Sequence, residues 1–338
     1  MAAKAWGSQQ KAVDEVFFQN EAVSLCMLIN RRARTMRVID FRAGPTNAKR
    51  LFVQSVAQRE GVEKVYTLVE RDEVQTWHKM GFLKEASIPG FYKRSDAFLL
   101  GCTVPALGQK PVAEAALAGL GEESPLQSET RLAVAGAVGA PTPTISVSPH
   151  HERMERTIAA GKRIAKEFAE KLPPAKVAEV DEAYARRAVA AAQRAGRALT
   201  AFEPFGRDIK RRHFAVSVRG GFELIASTES QSCFGNAYLE LLQSPRTDAE
   251  KIGTTAAVHA LCEKLLAEET VSCFSLAPSD DVALASAFVY NGFRRTGLLF
   301  EHLLLATTGQ NPPPPQGQAG KRADAILWSR KLNNPADQ

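Results

Sequence analysis

From Pro204 to the C-terminus, strand-like and helix-like runs succeed one another in an order that few folds accommodate. HFAVSVRG (213–220), FELIAST (222–228) and NAYLELLQ (236–243) are β-prone runs, the first two separated by Gly220-Gly221. One helical stretch follows, AEKIGTTAAVHALCEKLLAEE (249–269), and then the strand-like VSCFSLA (271–277). A second helix is capped by Ser279 or Asp280 and stopped at Gly292. TGLLFEHLLLA (296–306) and ADAILWSRKL (323–332) close the series around a proline-rich loop from Gln310 to Gln318. Three antiparallel strands, helix, strand, helix and a closing hairpin satisfy neither an all-α nor an all-β fold, so the expectation is mixed α/β.

The N-terminal half carries a shorter version of this pattern. AVSLCMLIN (22–30) and MRVIDFRA (36–43) flank a basic turn and read as a hairpin. Thr46 or Asn47 caps a helix that Gly61 stops, VYTLVE (65–70) is a strand, and Asp72 caps a second helix that Gly81 closes. LKEASIPGFYKRSDAFLLGC (83–102) supplies two more extended pieces around Pro89-Gly90. From 106 to 151 the composition shifts to Ala, Gly, Pro, Ser and Thr, including APTPTISVSP, which reads as a linker. Residues 152–200, rich in Ala, Glu, Lys and Arg, read as helices broken at Pro173-Pro174. The chain therefore divides into a reduced unit at 15–105, a linker at 106–151 and a fuller unit at 152–335.

A chain of 338 residues with 45% hydrophobic and 24% charged residues has the composition of a globular protein and not of a disordered one. No apolar run reaches the roughly 18 residues that cross a bilayer, and the N-terminus lacks the apolar core of a secretory signal, so a cytoplasmic protein is expected. Cys26, Cys102, Cys233, Cys262 and Cys273 are scattered among apolar neighbours, which points to neither disulfides, a metal site nor thiol catalysis. The net charge of +6 favours anionic partners in general. Because basic and acidic residues are interspersed and no nucleic-acid motif appears, nucleic acid is not an expected partner.

The order of the C-terminal half, with the turn between its third strand and helix, resembles the GNAT superfamily of N-acetyltransferases over residues 205–332. In that family the strand ends in a proline, and eight positions later comes the last glycine of a turn written R/Q-x-x-G-x-G/A. Pro245 and Gly253 hold this spacing, followed by Thr254 and Thr255, whereas Asp248 and Lys251 replace the family's Arg/Gln and first glycine. Unsatisfied N–H groups at such a helix start, aided by the helix dipole, bind the pyrophosphate of coenzyme A. The resemblance thus implies an acetyl-CoA site formed by Leu242, Gln243, Lys251, Ile252, Gly253, Thr254 and Thr255. The family also places a tyrosine acid four residues before a Gly-Phe pair. Here the pair is Gly292-Phe293, position 288 is phenylalanine, and Tyr290 is the nearby hydroxyl. Tyr238 and Glu240 share one face of the third strand, which makes Glu240 the candidate base for an ammonium acceptor. Glu301 and His302 are alternatives, and His259 reads as packing or surface.

INRRARTMRVIDF, GFLKEASIPGFYKRSDAFLLG, FVYNGFRRTGLL and ADAILWSRKL together are similar to landmarks of the β-lysine N-acetyltransferases, which join a reduced GNAT-like unit to a full one. The resemblance implies acetyl transfer from acetyl-CoA to a primary amine, of a lysine-like amino acid or a protein lysine. Homo-oligomers are compatible with it. The altered turn and Phe288 leave a second reading open, a catalytically silent pair that senses an acyl-CoA or scaffolds a protein partner.

Overall fold

The structure, a computed structural model, describes residues 13–107 and 148–332 except for 22, 32, 43, 93–94, 169–171, 200–208, 232–234 and 306–320. Most of the expected linker lies outside the described residues, as does Cys233. In the N-terminal unit, β1 (Val13–Gln19), β2 (Ser24–Asn30) and β3 (Thr35–Asp40) lead to α1 (Asn47–Arg59), β4 (Lys64–Val69) and α2 (Val74–Lys79). The hairpin β5 (Leu83–Ile88) and β6 (Ala97–Thr103) and a short α3 (Val104–Leu107) complete it. After α4 (Pro149–Glu167) the C-terminal unit begins with β7 (Ala175–Val180) and α5 (Glu182–Arg194), continuing to β8 (Lys210–Val218), β9 (Phe222–Ser230) and β10 (Asn236–Leu241). It ends with α6 (Asp248–Ala267), β11 (Ser272–Pro278), α7 (Val282–Tyr290), β12 (Arg294–Leu305) and β13 (Lys321–Lys331).

The series β1, β2, β3, α1, β4, α2, β5, β6 is repeated, element for element, by β8, β9, β10, α6, β11, α7, β12, β13. Together the strands form one mixed, mostly antiparallel sheet in the order β1-β2-β3-β4-β6-β5-β12-β13-β11-β10-β9-β8-β7. Apart from β7 at the edge, this order reads as a palindrome about the β5–β12 junction, so the two units meet through equivalent strands. Sequence marks the repeat: Gly81-Phe82 and Gly292-Phe293 each end a helix with a glycine at positive φ, +91° and +76°. Asp96, just before β6, and Asp324, the fourth residue of β13, accept backbone N–H groups, from Gly90 (2.8 Å) and Glu301 (2.9 Å).

Three large hydrophobic layers follow from the strand alternation, and a smaller fourth joins α5 to β8 and β9 through Ala185, Val189, Ala215 and Ile225. One face of the N-terminal strands packs under α1 and α2 through Val53, Val56 and Trp77. One face of the C-terminal strands packs under α4, α6 and α7 through Met154, Leu261 and Phe288. The opposite faces of both units meet in a shared core of Tyr66, Leu68, Phe91 and Leu99 with Tyr238, Phe274, Leu299 and Leu327. The hairpins cross over: Asn236 of β10 donates to the Phe91 carbonyl (2.6 Å), and Lys64 of β4 donates to the Phe300 carbonyl (2.9 Å).

Four local expectations are corrected. β1 was not anticipated, because VDEVFFQ is only half-buried at a sheet edge and its pattern is weak. β7 lies within the span read as helical; its residues are half-buried or exposed and take strand form by pairing with β8 over Ala175–Val180. The cap of α7 is Asp281, whose carboxylate accepts from Leu284 N, and not Ser279 or Asp280. Glu73, not Asp72, precedes α2.

Candidate acyl-transfer site

β10 and β11 run parallel and pair only at Asn236–Ser272, Ala237–Cys273 and Tyr238–Phe274. Beyond that rung Leu239–Leu241 stay with β9 and Ser275–Pro278 stay with β13, so the two strands part. Cys273 is still paired, and the parting starts after Tyr238 on β10 and after Phe274 on β11. The equivalent strands β3 and β4 pair from Thr35–Lys64 to Val38–Thr67, and there the Thr67 hydroxyl donates to the Val38 carbonyl (2.8 Å).

Glu240 lies on the parted strand and on the face that meets the N-terminal unit, opposite Ser227 in the ladder. It is buried, not solvent-facing. Its carboxylate accepts from Ser227 Oγ (2.7 Å) and Arg211 (3.3 Å), and Arg211 also pairs with Glu229. Desolvation works against the Arg211 charge, but Glu240 and Glu229 outweigh it and raise its pKa above the usual guanidinium value. Tyr238, stacked on Phe274 at 5.2 Å, is pushed well above the usual phenol range by burial and by the same carboxylates. Arg37 of β3, lowered by burial, and Tyr92, raised by burial to about 12, border this face from the N-terminal unit. Arg211, Ser227, Glu229 and Arg37 went unrecognised in the sequence; the alternation of charged residues inside β8 and β9 was the available signal.

The turn after β10 differs from the expectation. α6 begins at Asp248 with a complete capping box: Thr247 Oγ1 accepts from Glu250 N, and Glu250 reaches back to Thr247 N. Glu250 Oε2 also accepts from Arg246 N (2.7 Å) and sits beside Arg197 (3.1 Å). Desolvation pushes the Glu250 pKa up, but these donors more than offset it and hold the carboxyl below its usual range. Lys251 pairs with Asp248 (2.8 Å). Gly253, Thr254 and Thr255 lie inside the helix, fully buried, and Ile252 is half-buried. A Cβ on Gly253 would overlap the Phe222 ring, so this glycine serves helix–strand packing. Leu242 is buried with both backbone groups engaged, its N–H by the Ile225 carbonyl and its C=O by Leu199 N. The Gln243 amide donates to the Glu223 carbonyl (2.7 Å). The Glu250 carboxylate therefore occupies the N–H groups of Arg246 and Thr247 just ahead of the helix, and Gly253, Thr254 and Thr255 are covered by packing.

Phe288, at the family's acid position, is fully buried, stacked on Trp328 at 5.6 Å and edge-on to Phe293 at 5.0 Å. Tyr290 is the last, half-buried residue of α7, on the helix side of the sheet, whereas Glu240 faces the other side. The two are not brought together on one face; the parted strands lie between their sides. His302 is buried against Tyr66 at 5.0 Å, Glu301 takes φ +48° in an irregular stretch of β12, and His259 is exposed on α6. On the helix side, Ser275 is wholly buried on the first rung beyond the parting, opposite Trp328. Ser275 Oγ, Trp328 Nε1 and Thr254 Oγ1 find no hydrogen-bond partner among the described residues.

No protein-family model matches the chain, and no curated protein does. Among solved structures it is similar to the ribosomal-protein-S18-alanine N-acetyltransferase from Escherichia coli, at 13% identity and a TM-score of 0.34, over 47% of this chain and 95% of that one. It is also similar to the spermidine N-acetyltransferase from Vibrio cholerae in complex with CoA and spermine, at 10% identity and a TM-score of 0.35, with the same coverage. Likeness this low leaves any functional reading to rest on the chain's own residues. No helix among the described residues is long and apolar enough to cross a membrane.

Proposed function

We propose that the chain is a GNAT-type N-acyltransferase whose working half is the C-terminal unit. The observation that carries this reading is the parting of β10 and β11 beyond Tyr238–Phe274, with a buried carboxylate on one parted strand. The resemblance stated above puts a thioester in such a gap. The reaction joins an acyl carbonyl to a neutral amine and releases a thiol, so a proton must leave the acceptor ammonium and one must reach the sulfur. Glu240 is the group for the first transfer, on the face covered by the Phe91–Tyr92 hairpin, and Tyr290 is the candidate for the second. The acceptor is a primary amine, of a lysine-like amino acid or a protein lysine, and acetyl-CoA is the donor implied by the resemblance.

A second reading, a catalytically silent scaffold, is favoured by the Glu250-filled turn and by Phe288 in the acid's place. Mass-resolved acetyl transfer to lysine, polyamines and lysine peptides separates the two. Turnover that falls about a hundredfold in kcat in Glu240→Gln, the lower range for loss of a general base, supports the enzyme. Absence of turnover with every amine supports the scaffold.

A further inference from the structure

We infer that Cys262 of α6 and Cys273 of β11 form a peroxide-reactive dithiol that closes to a reversible disulfide between helix and sheet. The site is separate from the proposed acyl transfer and does not depend on it.

The first observation is the placement of two thiols that the sequence shows only as scattered residues. Cys262 and Cys273 are free, 0% and 1% exposed, and lie in the same core layer on the helix side of the sheet. The Cys273 thiol hydrogen-bonds to Cys262. Arg330 stands directly opposite Cys273 in the β11–β13 ladder and also hydrogen-bonds to Cys262. Its guanidinium lies against the end of α7, where a Cβ on Gly292 would stand 3.9 Å from Nε. One sulfur therefore has both a thiol donor and a cation on it, and β11 is held between β10 and β13 at this rung.

The second observation is the contrast with the other described cysteines. The thiolate, not the thiol, is the nucleophile, and a cationic neighbour favours it. The Cys273 hydrogen bond first, and then Arg330, hold the Cys262 thiol below its usual range, although burial and Glu263 oppose the charge. Cys273 is pushed well above that range by the same hydrogen bond and by burial. Cys102 is pushed up to about 11 by burial, and Cys26 donates to the Glu15 carboxylate (3.4 Å). Cys262 is thus the attacking sulfur and Cys273 the resolving one. The Cys262 thiolate attacks one oxygen of hydrogen peroxide; the S–O bond forms, the O–O bond breaks and hydroxide leaves. The Cys273 sulfur then attacks Cys262 while its proton passes to the departing hydroxyl, so that the S–S bond forms and water leaves. Two electrons pass from the sulfurs to the peroxide oxygens. Hydrogen peroxide is small and uncharged, which suits it to a covered sulfur. The new bond ties α6 to β11 one rung before the last that β10 and β11 share.

The test is oxidation of the reduced full chain by hydrogen peroxide under native conditions, followed by alkylation, digestion and mass mapping. A linked Cys262–Cys273 peptide is expected, about 2 Da lighter than its two thiol peptides together. It should form at least tenfold faster than Cys102 is oxidised, and dithiothreitol should reverse it. In Cys273→Ser, dimedone is expected to trap a sulfenic acid at Cys262. In Arg330→Gln the linkage is expected to form at least fivefold more slowly, with most of the rate restored in Arg330→Lys. Oxidation of Cys262 no faster than that of Cys102, or a linked peptide seen only after unfolding in urea, overturns the inference. An unchanged rate in Arg330→Gln overturns the role of that residue.

Discussion

Gly253 carries the clearest lesson at the scale of single residues. Its spacing from Pro245 was legible, but the spacing has two physical readings, a phosphate approach or a close contact between helix and strand. Phe222 decides for the second, because a Cβ would overlap its ring. Gly253→Ala removes a helix-interior glycine, worth about 1 kcal/mol of propensity. It also overpacks a rigid contact, at a cost of about 1–3 kcal/mol. Net destabilisation is therefore expected in urea unfolding, and Phe222→Leu in the same chain should recover it. A stabilised Gly253→Ala single variant would mean that the ring moves aside freely. Glu240 and Tyr238 were legible as sharing a strand face, whereas the Arg211–Glu229 pair that surrounds them was not, because sequence shows alternation but not which strands are neighbours.

Among elements, the strand and helix runs after Pro204 were readable because each combines strong periodicity with a glycine, proline or capping residue at its end. β7 was not, since its six residues alternate too weakly to outweigh the Ala- and Arg-rich context, and its form is set by pairing with β8. The junction between units lies at the same level. β5 and β12 pair at Ala86–Gly297, and a Cβ on Gly297 would overlap Ala86 and the Glu85 carbonyl. Gly297→Val should force the two strands apart and expose the shared core. Expected results are a melting temperature lowered by several degrees, as follows from a loss of about 2 kcal/mol, and faster hydrogen exchange in both β5 and β12. A change confined to β12 would mean that the junction does not couple the units.

For the whole molecule, the repeated order and its palindromic arrangement make one sheet from two units whose hairpins each cover the other's core. Sequence hinted at the repeat through Gly81-Phe82 and Gly292-Phe293, but not at the order of strands across the junction. Burial at this interface has a consequence for pH. His302 packs on Tyr66 with its pKa lowered to about 3 by desolvation, and secondarily by Lys64 and Arg322. The folded state therefore holds this imidazole neutral while the unfolded state protonates near 6.5, so stability is full above 6.5 and is lost as the pH falls toward 3. The slope attributable to this group is about 1.4 kcal/mol per pH unit. His302→Gln should flatten the dependence between pH 6 and 4 in denaturant titrations; an unchanged slope would assign the acid lability to other groups.

In the proposed acyltransferase the acyl donor enters between β10 and β11 beyond the Tyr238–Phe274 rung. Hydrogen exchange of the full chain with and without acetyl-CoA tests it most directly. Slower exchange is expected in Leu239–Leu241 and Ser275–Pro278. Protection confined to Arg246–Lys251, with none between the parted strands, would contradict it.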